Sequence, residues 1–412
     1  MKNLVGAAMF AQSGGPTSVI NASAAGVFTE ALASKNITAV YGAEHGIKGI
    51  LDERFFDIGK EDPKELELLK VTPSSALGSV RYKLKDYTVD PTDYNRLLEI
   101  FKKYNIRYFF YNGGNDSMDT CNKISKFMAN SGWDCNVMGV PKTIDNDLYG
   151  TDHCPGYASA AKYIATTCME VALDSHVYNT GLVCVMEIMG RNAGWLTAAA
   201  ALSNVQGQGV DLIYLPEVPF DMDKFVADVK AVCDKNNNKC LVAVSEGIKF
   251  ADGRYVGEFT ASSTDLFGHA QLGGVGGLLA NVINQKLGIK TRGIELNLMQ
   301  RCAAHCASQT DVDETFEAGR RAVRAAVDGI TDYMVAYERK PGESYAIDYK
   351  LVPLELCANT EKTVPLEWIT NNGTGVSKEF IDYALPLIQG ESRTPCVNGL
   401  PRFAKLKKVL VK

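Results

Sequence analysis

The chain has 412 residues, room for two α/β domains or one large unit with an appendage, and its 46% hydrophobic and 22% charged residues are ordinary for a soluble globular protein with a sizeable core. A formal net charge of -5 and a pI near 5.7 exclude a protein-wide basic footprint for nucleic acid, so an anionic ligand would need a local cationic pocket. Eleven cysteines with no C-x-x-C pair or Cys/His metal spacing fit reduced thiols, and no apolar run reaches membrane-spanning length, so a cytoplasmic protein without membrane contact is expected.

The start of the chain imitates a signal peptide, but its apolar run leads directly into Gly14-Gly15 and a further helix. It therefore reads as a strand over Leu4 to Phe10, a polar loop Gln12 to Thr17 and a helix from about Ile20 to Ala33. Glycines between a strand and a helix let backbone N–H groups approach a phosphate. The pair is neither a Walker P-loop nor a complete G-x-G-x-x-G fingerprint. A short strand follows at Ile37 to Tyr41, then S-S-A-L-G-S-V-R-Y-K-L-K, where Arg81 is either a phosphate ligand or a solvated surface cation. Ile106 to Tyr111 is the next strand, broken by N-G-G-N-D-S before a helix from about Met118 to Ala129, which Ser117 is expected to cap.

The central stretch is V-P-K-T-I-D-N-D-L-Y, from Val140 to Tyr149. Pro141 ends the strand Asn136 to Val140 by withholding a backbone donor, and a loop at that end of an open α/β sheet is where ligands bind. It supplies an ammonium (Lys142), a hydroxyl (Thr143) and carboxylates two apart (Asp145, Asp147), suited to proton transfer and to facing a cation. By itself D-N-D could be a plain turn. A helix from about Ala158 to Leu173 and a strand Thr180 to Ile188 lead to M-G-R-N-A-G, which brings Arg191 to another strand end.

Further along, Leu241 to Val244 reads as a strand ending in Ser245-Glu246-Gly247, a carboxylate suited to a sugar hydroxyl. The run Q-L-G-G-V-G-G, Gln271 to Gly277, is open between a functional loop and a hinge or close helix packing, before a helix from Leu278 to Lys286. Arg292 sits in strand-like T-R-G-I-E-L, Arg301 precedes C-A-A-H-C, and His305 has no partner at ligand spacing. The helix Glu314 to Ile330 carries Arg320, Arg321 and Arg324, read as a solvated face or a subunit contact. The tail beyond about Ala336 has two strand-like pieces and no evident chemistry. Strand, polar loop and helix recurring at 4–34, 106–130, 136–176 and 180–203 imply parallel sheets with helices on both faces.

In their order, S-G-G-P, G-S-V-R, G-G-N-D-S, P-K-T-I-D-N-D, M-G-R, the S-E-G glutamate and Arg292 before Q-R resemble the phosphofructokinase family over roughly the first 330 residues. The resemblance implies two Rossmann-like parallel-sheet domains: residues 1–156 with part of 300–335 for the phosphoryl donor, 157–299 for the sugar phosphate, and 336–412 as an extension. ATP-using relatives look like G-G-D-G-S and P-G-T-I-D-N-D, with glycines where this chain has Asp116 and Lys142. A carboxylate there repels a nucleotide α-phosphate by ~4 kcal/mol at about 4 Å and an effective dielectric of about 20, while Lys142 favours bare pyrophosphate.

The pyrophosphate-dependent branch is thus implied, with fructose 6-phosphate as acceptor and Mg2+ as cofactor. On that resemblance Gly14, Arg81, Gly114, Asp116 and Lys142 bind pyrophosphate; Thr143, Asp145, Met189, Gly190, Arg191, Glu246, Arg292 and Arg301 bind the sugar phosphate; Asn115 and Asp147 hold the metal. Asp145 is the implied base, with Lys142, Thr143, Asp116 and Arg191 sharing in catalysis, and a homodimer or homotetramer is expected. Asn115 departs from the family's Asp, and Leu182 and Leu298 from an Arg and a polar ring. ATP as donor, sedoheptulose 7-phosphate as acceptor and a non-catalytic regulatory subunit remain as alternatives.

Overall fold

The computed structural model describes residues 4–257, 274–342, 344–358 and 360–411. In chain order, β1 (Gly6–Gln12), β2 (Ile37–Ala43), β3 (Phe55–Asp57), β4 (Ile106–Gly113) and β5 (Asn136–Pro141) come first. Next come β6 (Leu182–Ile188), β7 (Leu212–Tyr214), β8 (Lys239–Ser245) and β9 (Thr291–Glu295), and then β10 (Tyr333–Arg339) and β11 (Ile347–Pro353). They form a seven-stranded sheet in the order β11-β10-β5-β4-β1-β2-β3 and a four-stranded sheet in the order β7-β8-β6-β9. The small sheet is parallel throughout, and in the large one only the edge strands β3 and β11 run antiparallel to their neighbours.

Alternation along buried strands builds both layers. In β1, Ala7, Met9 and Ala11 pack with the helices Thr92–Lys103 and Asn115–Asn130, while Ala8 and Phe10 pack with Ile20–Ala33 and Gln309–Val327 on the opposite face. The last two helices touch through Gly26 and Gly319, where an added Cβ would stand 2.0 Å from the Phe316 carbonyl and 2.3 Å from the Ser23 carbonyl. Arg320 and Arg324 reach across that contact to Glu30 and Arg321 pairs with Glu317. Arg320 and Arg324 thus stand half-buried in an inter-helix network, while Arg321, exposed and paired within its own helix, keeps the expected solvated face.

In the small sheet, Cys184, Met186 and Ile188 pack on the helix Tyr157–His176, and Val183 and Val185 on Met222–Lys235 and Val275–Leu287. Of the run Gln271 to Gly277, residues 271–273 lie outside the described residues. The remainder packs closely: a Cβ added at Gly293 would stand 2.7 Å from Gly277 Cα, and the buried Glu187 carboxylate accepts the Gly276 N–H at 2.9 Å. The tail is structural on both sides of the molecule. It completes the large sheet with β11, contributes Val364, Phe380 and Leu387 to the small-sheet core, and returns to β3, where Val409 accepts the Asp57 N–H at 2.9 Å.

Candidate active site

The carboxyl ends of β1, β4 and β5 meet those of β6 and β8 around a cavity of about 690 Å3. After β1, Gly14 adopts φ +75°, and an added Cβ there would stand 3.3 Å from Nζ of Lys142. Glycine is required on both counts, by the backbone and by the ammonium pressed against it. Ser79 donates to the Gly14 carbonyl at 2.6 Å and so ties this loop to the G-S-V-R segment, whose Arg81 lines the same cavity.

After β4 the helix begins at Asn115 with Gly114 as its N-cap, so Ser117 lies inside the first turn and does not cap it. The Gly113-Gly114 turn starts the helix at Asn115, two residues before Ser117. Asn115 donates to Asp147 Oδ2 at 3.1 Å, and its own amide oxygen is shielded from solvent without a hydrogen-bond partner. An orphaned buried oxygen beside a carboxylate suits a hard cation that also takes phosphate oxygens. Among the described residues no group of three His, Cys, Asp or Glu side chains could hold a metal unaided.

Beyond Pro141 the Lys142 N–H bonds the Gly113 carbonyl at 3.0 Å, and the buried ammonium donates to the Gly15 carbonyl at 2.7 Å. Burial depresses Lys142 to about 8, against the opposing pull of Asp145 and Asp147. Thr143 Oγ1 accepts the Asp145 N–H at 3.1 Å and lies 3.4 Å from Asp145 Oδ2. Burial raises both Asp145 and Asp147. The carboxylates line the cavity, whereas Asn146 between them does not.

At the small-sheet end Met189, Arg191, Glu246 and Arg301 line the cavity. Gly190 stands behind them at φ +132° and donates its N–H to Glu246 Oε1 at 3.3 Å, which fixes the carboxylate against the M-G-R turn. Burial raises Glu246 to about 7 and, with Arg81 close by, depresses Arg301. Arg292 departs from expectation. It lies exposed on β9, the edge of the small sheet, and does not line this chain's cavity. His305 is exposed, set edge-on to Tyr163, and also lies outside.

Among the lining residues that the sequence reading did not assign to the site are Lys83, Asn192 and Glu361. Lys83 follows Arg81 by two positions in an extended segment, a same-side spacing that could have revealed it. Asn192 donates to Glu361 Oε1 at 3.1 Å, and Glu361 itself comes from the tail. The tail has chemistry after all: Glu361 bridges Leu148 in antiparallel fashion, and the Lys362 N–H bonds the Asp147 carbonyl at 2.8 Å. No local pattern announces such a long-range contact. The cavity therefore carries five cations (Arg81, Lys83, Lys142, Arg191, Arg301) and five carboxylates (Asp116, Asp145, Asp147, Glu246, Glu361).

Facing sheet ends with Gly-rich turns and paired charges define a phosphoryl-transfer type of site. The family model for Phosphofructokinase matches residues 7–326, and the chain belongs to the phosphofructokinase family. A relative from Halomonas elongata named pyrophosphate--fructose 6-phosphate 1-phosphotransferase is 44% identical over 97% of this chain and 96% of its own. Another of that name from Methylococcus capsulatus is 42% identical over 98% and 96%. The crystal structure of a pyrophosphate-dependent phosphofructokinase from Nitrosospira multiformis superposes with a TM-score of 0.90 at 39% identity, covering 98% of this chain and 97% of that one.

Proposed function

We propose that this chain transfers a phosphoryl group from inorganic pyrophosphate to the 1-hydroxyl of fructose 6-phosphate, giving fructose 1,6-bisphosphate and phosphate. The observation that carries the choice of donor is that Lys142 and Asp116 both line the cavity, beside the glycine turns that follow β1 and β4. The ammonium is buried against the Gly14-Gly15 turn, and the carboxylate lines the wall at the start of the Asn115–Asn130 helix. Together they favour a compact dianionic leaving group and oppose the α-phosphate of a nucleotide. The large sheet is the donor half, with Gly14, Arg81, Gly114, Asp116 and Lys142 as ligands. The small sheet is the acceptor half, with Met189, Arg191, Glu246 and Arg301 on the sugar phosphate and Gly190 holding Glu246.

Asp145 takes the proton of the attacking hydroxyl, a task that its raised affinity for a proton favours. Thr143 orients the transferred group, and Lys142 and Arg191 neutralise charge as it builds. Mg2+, bound through Asp147 and the free amide oxygen of Asn115, would neutralise pyrophosphate oxygens. The enzyme works in the cytoplasm, reversibly and within glycolysis, as a homodimer or homotetramer. Arg292 would then serve a sugar phosphate only across an interface between copies, and the exposed Leu298 and Met299 near it are apolar surface for that interface to cover. A coupled assay tests the reading: product is expected from pyrophosphate and none from ATP. Turnover with ATP, or no turnover with pyrophosphate, would refute it.

A further inference from the structure

Asn146 separates the two carboxylates of the acid loop but is held by a different part of the molecule. Its backbone is left-handed, at φ 56°, and its side chain is fully buried. Nδ2 donates to the Tyr383 hydroxyl at 2.8 Å, and Oδ1 accepts the Cys154 N–H at 2.9 Å. The Tyr383 hydroxyl in turn donates to the Asp152 carbonyl at 2.8 Å. Both functions of the phenol are thus spent on the stretch from 146 to 152.

The ring has little freedom to follow a moving loop. Its centroid lies 5.3 Å from that of Trp195 and 5.7 Å from that of Trp368, and the Arg339 guanidinium sits 4.9 Å from it. A second tie runs in parallel: Lys362 Nζ donates to the carbonyls of Thr151 at 3.2 Å and Asp152 at 2.6 Å. Tyr383 and Lys362 both belong to the tail, beyond the stretch that the family model matches. Neither Asn146 nor Tyr383 lines the cavity, whereas Asp145 and Asp147 both do.

We infer that Tyr383, acting through Asn146, is a positioning residue that keeps Asp145 and Asp147 turned toward the substrates. A tail residue thereby sets the turnover of a site it never touches. The inference rests on the phosphotransferase reading above and deepens it. Misplacing reacting groups by about 1 Å costs on the order of 100-fold in rate without a matching loss of binding.

Tyr383→Phe keeps the ring and deletes the hydroxyl, and Asn146→Gly keeps the left-handed backbone and deletes the amide. Each is expected to lower kcat by about 10- to 100-fold, with KM for both substrates within about threefold of wild type. The double variant is expected to be no slower than the slower single one, because the two side chains act as a unit. Amide hydrogen exchange across residues 143–148 is expected to accelerate in Tyr383→Phe. An unchanged kcat, or losses that multiply in the double variant, would overturn the inference. If the wild-type chain failed to use pyrophosphate, the functional reading would fall first. The exchange measurement would still decide this one, since unchanged protection at 143–148 refutes it.

Discussion

At the donor end of the cavity the chain relies on groups held by burial and by the turns themselves: a left-handed glycine, the Asn115 amide oxygen without a partner, and the Lys142 ammonium packed against a carbonyl at 2.7 Å. At the acceptor end it relies on long side chains, Arg191, Glu246 and Arg301, while Arg292 lies exposed outside the cavity. Groups fixed where charge builds act on the transition state, whereas groups that hold a non-reacting part of the substrate act on binding. Substitutions at the two ends should therefore separate into kcat effects and KM effects.

The largest effect belongs between the two ends. Asp145→Ser is expected to lower kcat by about 10²- to 10⁴-fold with little change in either KM. Single-turnover kinetics with pyrophosphate would check it, and full activity would remove Asp145 from the role of base. Next comes Lys142→Gly, expected to lower kcat/KM for pyrophosphate by about 10²- to 10³-fold while leaving KM for fructose 6-phosphate nearly unchanged. Paired with Asp116→Gly, it should admit measurable turnover with ATP. If that double variant gains none, the donor end excludes nucleotides by some other means.

The acceptor end sharpens the contrast. Arg301→Ala removes a cation that lines the cavity and should raise KM for the sugar phosphate by about 10- to 100-fold, the worth of a charge-assisted hydrogen bond. Arg292→Ala should raise it only where copies associate, so its effect should fade as enzyme is diluted below the dissociation constant of the assembly. Steady-state kinetics against protein concentration distinguish the two. An Arg292→Ala effect that persists in a verified monomer would require that residue to reach its own cavity.

The donor end was the more legible from sequence because its signals are local. Gly-Gly turns after apolar runs, and a proline that stops β5, mark strand ends whatever the rest of the chain does. The helix start was misread because Gly114 provides the N-cap without a side chain, three residues before Ser117. Arg292 reads like its neighbours in sequence, and its separation from the cavity follows from its place near the start of the edge strand β9, opposite Cys184 and well short of the carboxyl end of β6. Glu361 and Tyr383 lie in a tail of short pieces with no usable period. They reach the acid loop across more than 200 positions of sequence, and such pairings leave no local trace.

Glu246 offers the smallest effect and a direct measure of how dry the acceptor end is. Burial raises its carboxyl from the ordinary 4.5 to about 7, with the Gly190 N–H opposing that rise and Asp145 adding to it. A folded state that binds the proton more tightly than the unfolded chain loses stability as pH rises between those two values and is level on either side. Glu246→Gln cannot ionise, so its unfolding temperature relative to wild type should climb steadily from pH 4.5 to about pH 7 and then flatten. Asp145 and Asp147 shift in the same direction and remain in both proteins, so the difference between the two curves reports Glu246 together with its coupling to Asp145. A difference independent of pH across that window would mean that the acceptor end is open to water, and that Glu246 meets the sugar as an ordinary solvated carboxylate.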